Sequence, residues 1–259
     1  MNEKATASIE AVQAYWNQHV DDWKIASHAS CTPEFFLETE LYRFEKLHYL
    51  NDCIPFGASA GKKVIEIGCG IGNDLTRFAK SGAKVTGVDL SGRSIELSKA
   101  NFEQRALTGE FLQMNGEHLD IDDNCFDIAY CHTVLQFTPH PDRMVAEIHR
   151  ILKPGGQAII MALNSRSWLM LMHRLLKTRI DYLDSPVYNL FSITEFQHLL
   201  APFTTTKIIT ERFPVPTKVH TGLKAWLYNA LFVDVFNTLP KRLTSASGHH
   251  LLAYAQKAD

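Results

Sequence analysis

Short apolar runs alternate with amphipathic stretches through the middle of the chain. Short strand-like runs lie at residues 62–68, 83–90, 110–114, 125–131 and 157–163. Stretches with helical spacing separate them at residues 74–82, 91–106 and 142–153. In the last of these stretches Val145, Ile148 and Leu152 fall on one stripe. Strands separated by helices at this spacing predict a parallel α/β sheet.

The first 60 residues have a helical pattern. Thr32 and Pro33 are typical of a helix start, with Thr as the cap and Pro at the first helical position, and aromatic residues follow as far as Leu50. Pro55 and the glycines from Gly57 to Gly61 then interrupt the pattern. We therefore predict an N-terminal helical segment at residues 1–60 and a ligand-binding core at residues 61–163.

Residues 164–259 form a third, less regular part. Apolar helices are predicted at residues 167–180 and 222–239, and Ser192 with Glu195 forms a capping box at the start of a further helix. Two strand-like runs, TKIITERF and HHLLAYAQK, complete this part. We expect the two strands to extend the sheet and the apolar helices to cap it.

Composition narrows the class of protein. Of the 259 residues, 46% are hydrophobic and 21% are charged, and the net charge is −2. These values are ordinary for a globular protein, and no basic cluster suggests binding to nucleic acid. The five cysteines include no CxxC pair, so we expect neither a disulfide framework nor a metal site. No signal-peptide core or membrane-length apolar run occurs, which favours the cytoplasm.

The stretch VIEIGCGIGN, residues 64–73, places three glycines directly after a strand. Glycines at that position let a ligand approach the backbone, and the free N–H groups of the next helix favour a negative group. A dinucleotide site would have GxGxxG, whereas this chain has GxGxG. Asp89, at the end of the second strand, is placed to accept hydrogen bonds from ribose hydroxyls.

Two longer stretches extend this pattern into a family resemblance. VIEIGCGIGNDLTRFAKSGAKVTGVDLS and FDIAYCHTVLQFTPHPDRMVAEIHRILKPGG resemble the motifs of class I S-adenosylmethionine-dependent methyltransferases, of the bacterial small-molecule type. The resemblance covers residues 60–163 closely and the N-terminus loosely. It implies a Rossmann-like fold with a seven-stranded, mostly parallel sheet, helices on both faces and an antiparallel last strand. It also implies S-adenosyl-L-methionine as the cofactor.

The resemblance assigns the cofactor contacts to the ends of the strands. Glu66 and the loop from Gly68 to Gly72 would hold the methionine part, and Asp89 would bind the ribose. The adenine would contact Leu90 and, where the family often has Asp-Ala, Asn115 and Gly116. The full set of predicted cofactor residues is Glu66, Gly68, Cys69, Gly70, Gly72, Asp89, Leu90, Asn115, Gly116, Cys131 (through its backbone carbonyl) and Tyr15 (as a lid).

The acceptor side is less defined. His132 follows the fourth strand, where family members place residues that face the methyl group, so it is a candidate general base; a purely structural histidine is the alternative. Trp16, Tyr188 and Trp226 are candidate acceptor contacts. Because residues 164–245 are rich in apolar and aromatic side chains, we expect a small apolar or aromatic acceptor. The helix around Trp226 could instead form core or a homodimer contact.

Three alternatives to a small-molecule methyltransferase are open. A dinucleotide-dependent oxidoreductase would require GxGxxG and a hydride-relay Tyr/Lys pair, and the sequence shows neither. A non-catalytic cofactor-binding or partner-binding protein could use the same scaffold, since a fold does not prove an activity. The apolar segment 223–239 raises a third alternative, membrane-associated methylation of a lipid or quinone precursor. The absence of a strong basic face argues against membrane contact.

Overall fold

A computed structural model describes residues 7–20, 22–178, 180–214, 233, 236, 238–240 and 244–259. Seven strands form one sheet in the order β3-β2-β1-β4-β5-β7-β6. The strands are β1 (Lys63–Ile67), β2 (Lys84–Asp89), β3 (Glu110–Gln113), β4 (Phe126–Cys131), β5 (Leu152–Leu163), β6 (Thr205–Glu211) and β7 (His250–Gln256). Strands β1 to β5 pair in parallel, and β7 runs antiparallel between β5 and β6. The predicted Rossmann-like, seven-stranded architecture is confirmed.

Helices cover both faces of the sheet. They are α1 (Ile9–Gln18), α2 (Pro33–Lys46), α3 (Leu50–Cys53), α4 (Asn73–Lys80), α5 (Gly92–Gln104), α6 (Pro141–Ile151), α7 (Trp168–Leu176) and α8 (Ile193–Leu199). The predicted caps are present, because Thr32 and Ser91 each accept a hydrogen bond from the first turn of their helix. Ser192 and Glu195 close the predicted capping box.

Alternating residues of the central strands supply two separate cores. Val64 of β1 and Tyr130 of β4 pack beneath α4 and α5, whereas Ile65 and Cys131 pack beneath α6 and α8. Glu66 has the same parity as Val64 and therefore belongs to the face that α4 covers. A buried parallel sheet of this kind leaves the strand ends as the place for a ligand.

Three element boundaries differ from the prediction. Helix α2 ends at Lys46, and the chain turns before α3 instead of continuing to Leu50. Helix α7 ends at Leu176 because Lys177 adopts a left-handed conformation, with φ of 53°. Strand β5 begins at Leu152, before the turn predicted at residues 154–156. The register between β4 and β5 shifts there, so the predicted turn is an irregularity inside the strand.

The predicted helix at residues 222–239 falls almost wholly outside the described residues. Of the helices that the structure describes, none has the length and apolarity to cross a lipid bilayer.

Candidate active site

A cavity of about 1180 Å³ lies beyond the carboxyl ends of the parallel strands. Strand β1 connects outward through α4 to β2, whereas β4 lies on its other side, so the strand order reverses between β1 and β4. Ligands of open α/β sheets bind at such a reversal. The wall at this end is formed by Ile67, Gly68, Gly70, Val88, Asp89, Leu90, Met114, Asn115, Gly116, Thr133 and Val134.

The glycines after β1 serve different purposes. All three have left-handed backbones, with φ of 76° at Gly68, 54° at Gly70 and 79° at Gly72. A Cβ atom at Gly68 would lie 2.1 Å from Cγ2 of Val134, so no side chain fits there. A Cβ atom at Gly70 would meet nothing within 4 Å, so this residue presents bare backbone to open space. Gly68 thus allows the loop to pack closely against Val134, and Gly70 exposes the loop backbone to the cavity.

Asp89 is held at the cavity wall by backbone donors. The N–H of Gly70 donates to Oδ2 at 2.9 Å, and the N–H of Ser91 donates to Oδ1 at 2.8 Å. Burial raises the pKa of Asp89 to about 6, although these two hydrogen bonds act to lower it. Both oxygens keep lone pairs, so the fixed carboxyl group can accept further hydrogen bonds from a ligand.

Asn115 and Gly116 line the next part of the wall, beside Leu90. The side-chain oxygen of Asn115 accepts the N–H of Glu117 at 3.0 Å, which orients the amide and leaves one lone pair. A Cβ atom at Gly116 would come within 2.8 Å of Cε of Met144 and 2.9 Å of Cγ2 of Ile67. This glycine therefore allows close packing between the loop and α6.

Helix α1 covers this end of the cavity. Ile9, Val12 and Trp16 lie on the wall. Gln13 donates to the carbonyl of Leu90 at 2.9 Å, which ties the helix to the end of β2. The Trp16 ring packs 4.7 Å from Phe137 and 5.1 Å from Tyr182, centroid to centroid.

Tyr15, predicted as the lid contact to the cofactor, does not border the cavity. It donates to Asp184 at 3.0 Å and stacks on His19. Its neighbour Trp16, predicted for the acceptor side, is the aromatic residue that faces inward. Residues one apart on a helix point about 100° away from each other, which allows Trp16 to face the cavity while Tyr15 turns toward Asp184.

A buried polar cluster lies behind the glycine loop, on the α4 face. It consists of Glu66, Arg43, Asp74, Tyr130 and His132. Arg43 donates twice to Asp74, at 2.6 Å each, and Tyr130 donates to the same carboxylate at 2.7 Å. Although burial raises it, the pKa of Asp74 is lowered overall by the Arg43 charge and these hydrogen bonds.

Glu66 lies in this cluster and is only 2% exposed. Burial, followed by the nearby Asp74 carboxylate, raises its pKa well above the ordinary range. Among the described residues its Oε2 atom has no hydrogen-bond partner. An unsatisfied buried oxygen at the end of β1 is costly. Glu66 does not itself border the cavity, so its contact with a ligand stays a prediction.

His132 belongs to the same cluster and is 1% exposed. Its Nε2 lies 2.7 Å from the Tyr49 hydroxyl, and its Nδ1 lies 3.3 Å from Nη2 of Arg43. The ring is not part of the described cavity wall. The base role stays a prediction, since both ring nitrogens are already engaged by these two groups.

The two cysteines among the predicted cofactor residues are also set back from the cavity wall. Cys69 is buried, with its sulfur 3.6 Å from the Ser98 hydroxyl, and burial raises its thiol pKa well above the ordinary range. Cys131 packs in the core beneath α6. Neither thiol is placed to act as a nucleophile, and the backbone role of Cys131 stays a prediction.

The far end of the cavity is assembled from distant segments. Tyr188, a predicted acceptor contact, lies on the wall, and burial raises its pKa to about 12. Its ring packs 5.8 Å from Phe137. Trp168, Arg212 and His250 share this wall. Trp226 lies outside the described residues, and so does the dimer contact predicted around it.

Sequence reasoning missed the side chains that connect the two ends of the cavity. Tyr49 bonds to His132 and, at 2.6 Å, to Nδ1 of His250. His250 begins β7 and His249 directly precedes it. Burial followed by the Arg212 charge lowers the pKa of His249 to about 3. A histidine pair at the start of a closing strand is an unusual signal, since a fully buried strand normally begins with apolar residues.

Comparisons with known proteins agree with this geometry. A family described as "Methyltransferase domain" matches residues 65–160. The ubiquinone biosynthesis O-methyltransferase of Sodalis glossinidius is 31% identical over 175 residues, which cover 63% of this chain and 69% of that protein. The protein of the same name from Coxiella burnetii is 38% identical over 119 residues, covering 46% and 50%. The chain thus matches from half to about two thirds of the length of these relatives.

A solved structure extends the comparison to almost the whole fold. The S-adenosylmethionine-dependent methyltransferase of Thermotoga maritima, described as a possible histamine N-methyltransferase, superposes with a TM-score of 0.62. The identity is 21%, and the match covers 95% of this chain and 99% of that one. At this identity the likeness concerns the fold.

Proposed function

This chain belongs to the class I S-adenosylmethionine-dependent methyltransferases, and we propose that it methylates a hydroxyl oxygen of a small, apolar or aromatic molecule. The observation that carries the proposal is the single cavity that joins the glycine loop to an aromatic wall. An oxygen acceptor is favoured over nitrogen or carbon because the curated relatives are named O-methyltransferases.

The residues at the strand ends fit the cofactor. Asp89 offers fixed oxygens to ribose hydroxyls, and Gly70 leaves backbone open to the ligand. Glu66, whose Oε2 has no partner among the described residues, lies behind the glycine loop and would contact the methionine part of the cofactor. Leu90, Asn115 and Gly116 would hold the adenine, with Trp16 covering the site from α1. The sulfonium supplies an already activated methyl group.

The protein's own contribution would then be alignment and exclusion of water. Helix α1 closes one side of the cavity through Trp16, and the aromatic wall around Tyr188 provides a flat surface for the acceptor. Correct alignment can supply several kcal/mol of the barrier, and a positioned base adds a further ~10²–10⁴-fold for a neutral hydroxyl.

His132 remains the candidate for that base, linked to the cavity through Tyr49 and His250. The proposal requires turnover to fall, and its pH dependence to change, when the ring is replaced. A His132→Gln enzyme with unaltered turnover and pH profile would leave the ring a structural role only.

The experiment that tests the methyltransferase assignment measures ligand binding and methyl transfer separately. S-adenosylmethionine and S-adenosylhomocysteine should raise the melting temperature, whereas NAD should not, because a ligand stabilises the state that binds it. Asp89→Asn should remove most of that shift, and Asp120→Asn, at an exposed position, should preserve it. A shift with NAD alone would contradict the assignment.

Methyl transfer to phenolic acceptors, followed with labelled cofactor, distinguishes an enzyme from a binding protein on the same scaffold. Cofactor binding without transfer to any acceptor would favour the non-catalytic alternative. A quinone precursor is a second candidate acceptor, favoured by the name of the curated relatives. Co-sedimentation with lipid vesicles would test the membrane-associated form of that reaction, and a protein that stays in the supernatant would contradict it.

We also propose a cytoplasmic location, because all five cysteines are free. Thiol titration after oxidation would test it: cysteines that pair and stabilise the fold would favour an oxidising compartment.

A further inference from the structure

Arg212 occupies an unusual backbone position at the far end of the cavity. It follows β6 directly and has a left-handed φ of 58°. Its carbonyl accepts the indole N–H of Trp168 at 2.9 Å and the backbone N–H of His249 at 3.3 Å. A left-handed conformation is costly for a residue with a side chain and is concentrated at functional sites, where surrounding contacts hold it.

The side chain of Arg212 is oriented by His250. Nη1 lies 3.1 Å from Nε2 of the histidine. Because a guanidinium only donates, Nε2 must accept, and the histidine proton lies on Nδ1 beside Tyr49. Burial followed by the Arg212 charge lowers the pKa of His250 well below its ordinary value. His250 therefore positions the guanidinium but adds no charge of either sign.

No carboxylate of the described residues pairs with Arg212, which distinguishes it from the other enclosed arginines. Arg43 pairs with Asp74, and Arg150 pairs with Glu147. The adjacent Glu211 points to the opposite side of the strand, toward Cys53. Among the described residues this half-buried cation has no counter-ion on a largely apolar wall. Such a cation is stable only when an anion or water satisfies it.

Of the acidic residues on the wall, Asp181 lies next to a different cation. Asp181 lies 3.9 Å from Nζ of Lys46, and Lys46 also contacts Asp22 at 3.5 Å. The guanidinium of Arg212 has five N–H donors, of which the described contacts use one. The others suit a planar group that accepts two parallel hydrogen bonds.

We propose that Arg212 binds a carboxylate carried by the methyl acceptor, so that the acceptor is an aromatic or apolar organic acid. This inference rests on the proposed function, in which the acceptor occupies the half of the cavity opposite the glycine loop. The carboxylate neutralises the guanidinium, and the apolar body lies against Tyr188 and Trp168. Arg212 is then a specificity-determining residue that selects acids over their neutral analogues.

The test uses two probes of similar shape, one with a carboxylate and one with a neutral amide in its place. Binding of 3,4-dihydroxybenzoate and of 3,4-dihydroxybenzamide is measured by calorimetry in the presence of S-adenosylhomocysteine. The wild-type protein should bind the acid at least tenfold more tightly than the amide, and Arg212→Gln should remove that preference. Arg212→Lys should keep part of it, because an ammonium retains the charge without the planar donors. Arg174→Gln, on the exposed face of α7, should keep all of it.

Each outcome decides the proposal. Equal affinity for the two probes, no binding of the acid, or a preference that survives Arg212→Gln would overturn it. If Arg212→Gln does not fold, the comparison of Arg212→Lys with the wild-type protein decides, and an undiminished preference would count against the proposal. Failure to bind S-adenosylhomocysteine would contradict the proposed function instead, and the preference between the probes would still report on Arg212.

Discussion

The two ends of the cavity are built in different ways. The cofactor end is made of strand termini and the residues that directly follow them, such as Gly68 to Gly70 and Asp89 to Leu90. The acceptor end brings together Trp168, Arg212 and His250, which are far apart along the chain. A ligand shared by a whole family can be bound by local backbone motifs, whereas an acceptor peculiar to one member requires side chains assembled by the fold.

The forces that hold the two ends differ accordingly. Backbone hydrogen bonds shape the cofactor end, including Gly68 N–H to Val88 at 2.7 Å and Gly72 N–H to Cys69 at 2.7 Å. Side-chain contacts shape the acceptor end, including the bond between Tyr49 and His250 across 201 positions. Substitutions at the cofactor end should therefore act through steric conflict. Substitutions at the acceptor end should act by removing a hydrogen-bond or packing partner.

The largest effect is expected where one contact supports both ends. Arg43→Met leaves the buried Asp74 carboxylate without its partner, behind the glycine loop and next to His132. Removing one member of a buried ion pair costs about 3–5 kcal/mol. Denaturant unfolding should detect that loss, with Arg143→Met on the exposed face of α6 as the control. If Arg43→Met costs no more than Arg143→Met, the ion pair supports neither end.

Gly68→Ala should come next and should act on the cofactor end. The methyl group would collide with Val134 in a left-handed backbone, and overpacking of this kind costs about 1–3 kcal/mol. We expect a lower melting temperature and no further rise with S-adenosylmethionine. Gly57→Ala, where a Cβ atom meets nothing within 4 Å, is the matched control. A Gly68→Ala protein that still binds the cofactor normally would show that the loop adapts.

The pH dependence of cofactor binding would test the role of one group at the cofactor end, the carboxyl group of Asp89. The pKa of Asp89 is raised to about 6 in the folded protein, so its contribution to stability is present at low pH and lost as pH rises through about 6. Ribose hydroxyls favour the ionised form, so cofactor affinity should fall as pH falls through that value, by up to about tenfold per pH unit.

Calorimetry at a series of pH values would measure this dependence, and Asp89→Asn should abolish it. An affinity that stays flat through pH 6 in the wild-type protein, or the same slope in both proteins, would assign the dependence to another group.

The smallest effect is expected at the lid. Trp16→Ala removes ring contacts with Phe137 and Tyr182 at the cavity wall, and such aromatic pairs contribute about 0.5–1.5 kcal/mol beyond area burial. Cofactor affinity should therefore fall by roughly 2–10-fold. Tyr15→Phe, which loses only an exposed hydrogen bond to Asp184, should bind normally. The reverse order of effects would restore Tyr15 as the lid contact.

Local patterns predicted most of the fold and most of the residues that form the glycine-loop end of the cavity. Thr32, Ser91 and the pair Ser192–Glu195 start their helices as expected, because a cap depends on neighbours three residues away. The same applies to Asp89, whose backbone partners lie in the adjacent loop and its own turn. A motif whose interacting residues all lie near one strand end can be predicted from the sequence alone.

Other features could not be read in this way. The pattern of apolar residues continues through Lys177, yet α7 stops there on a backbone conformation that the pattern does not reveal. His132 follows β4 where a residue facing the acceptor was expected, but both ring nitrogens contact side chains from α2 and from the loop before α3. The hydrogen-bond partners of this buried histidine are determined by packing between elements that lie far apart in the sequence.

The amino-acid sequence by itself determined the sheet, the glycine loop and the carboxylate at the end of β2, since periodicity, turn residues and caps act over a few residues. Only the tertiary structure decided that Trp16 faces the cavity and Tyr15 does not, and that Arg212 and His250 meet at its far wall. The physical reason is that a buried charge or ring takes its orientation from whichever distant groups satisfy it, and those groups become neighbours only when the chain folds.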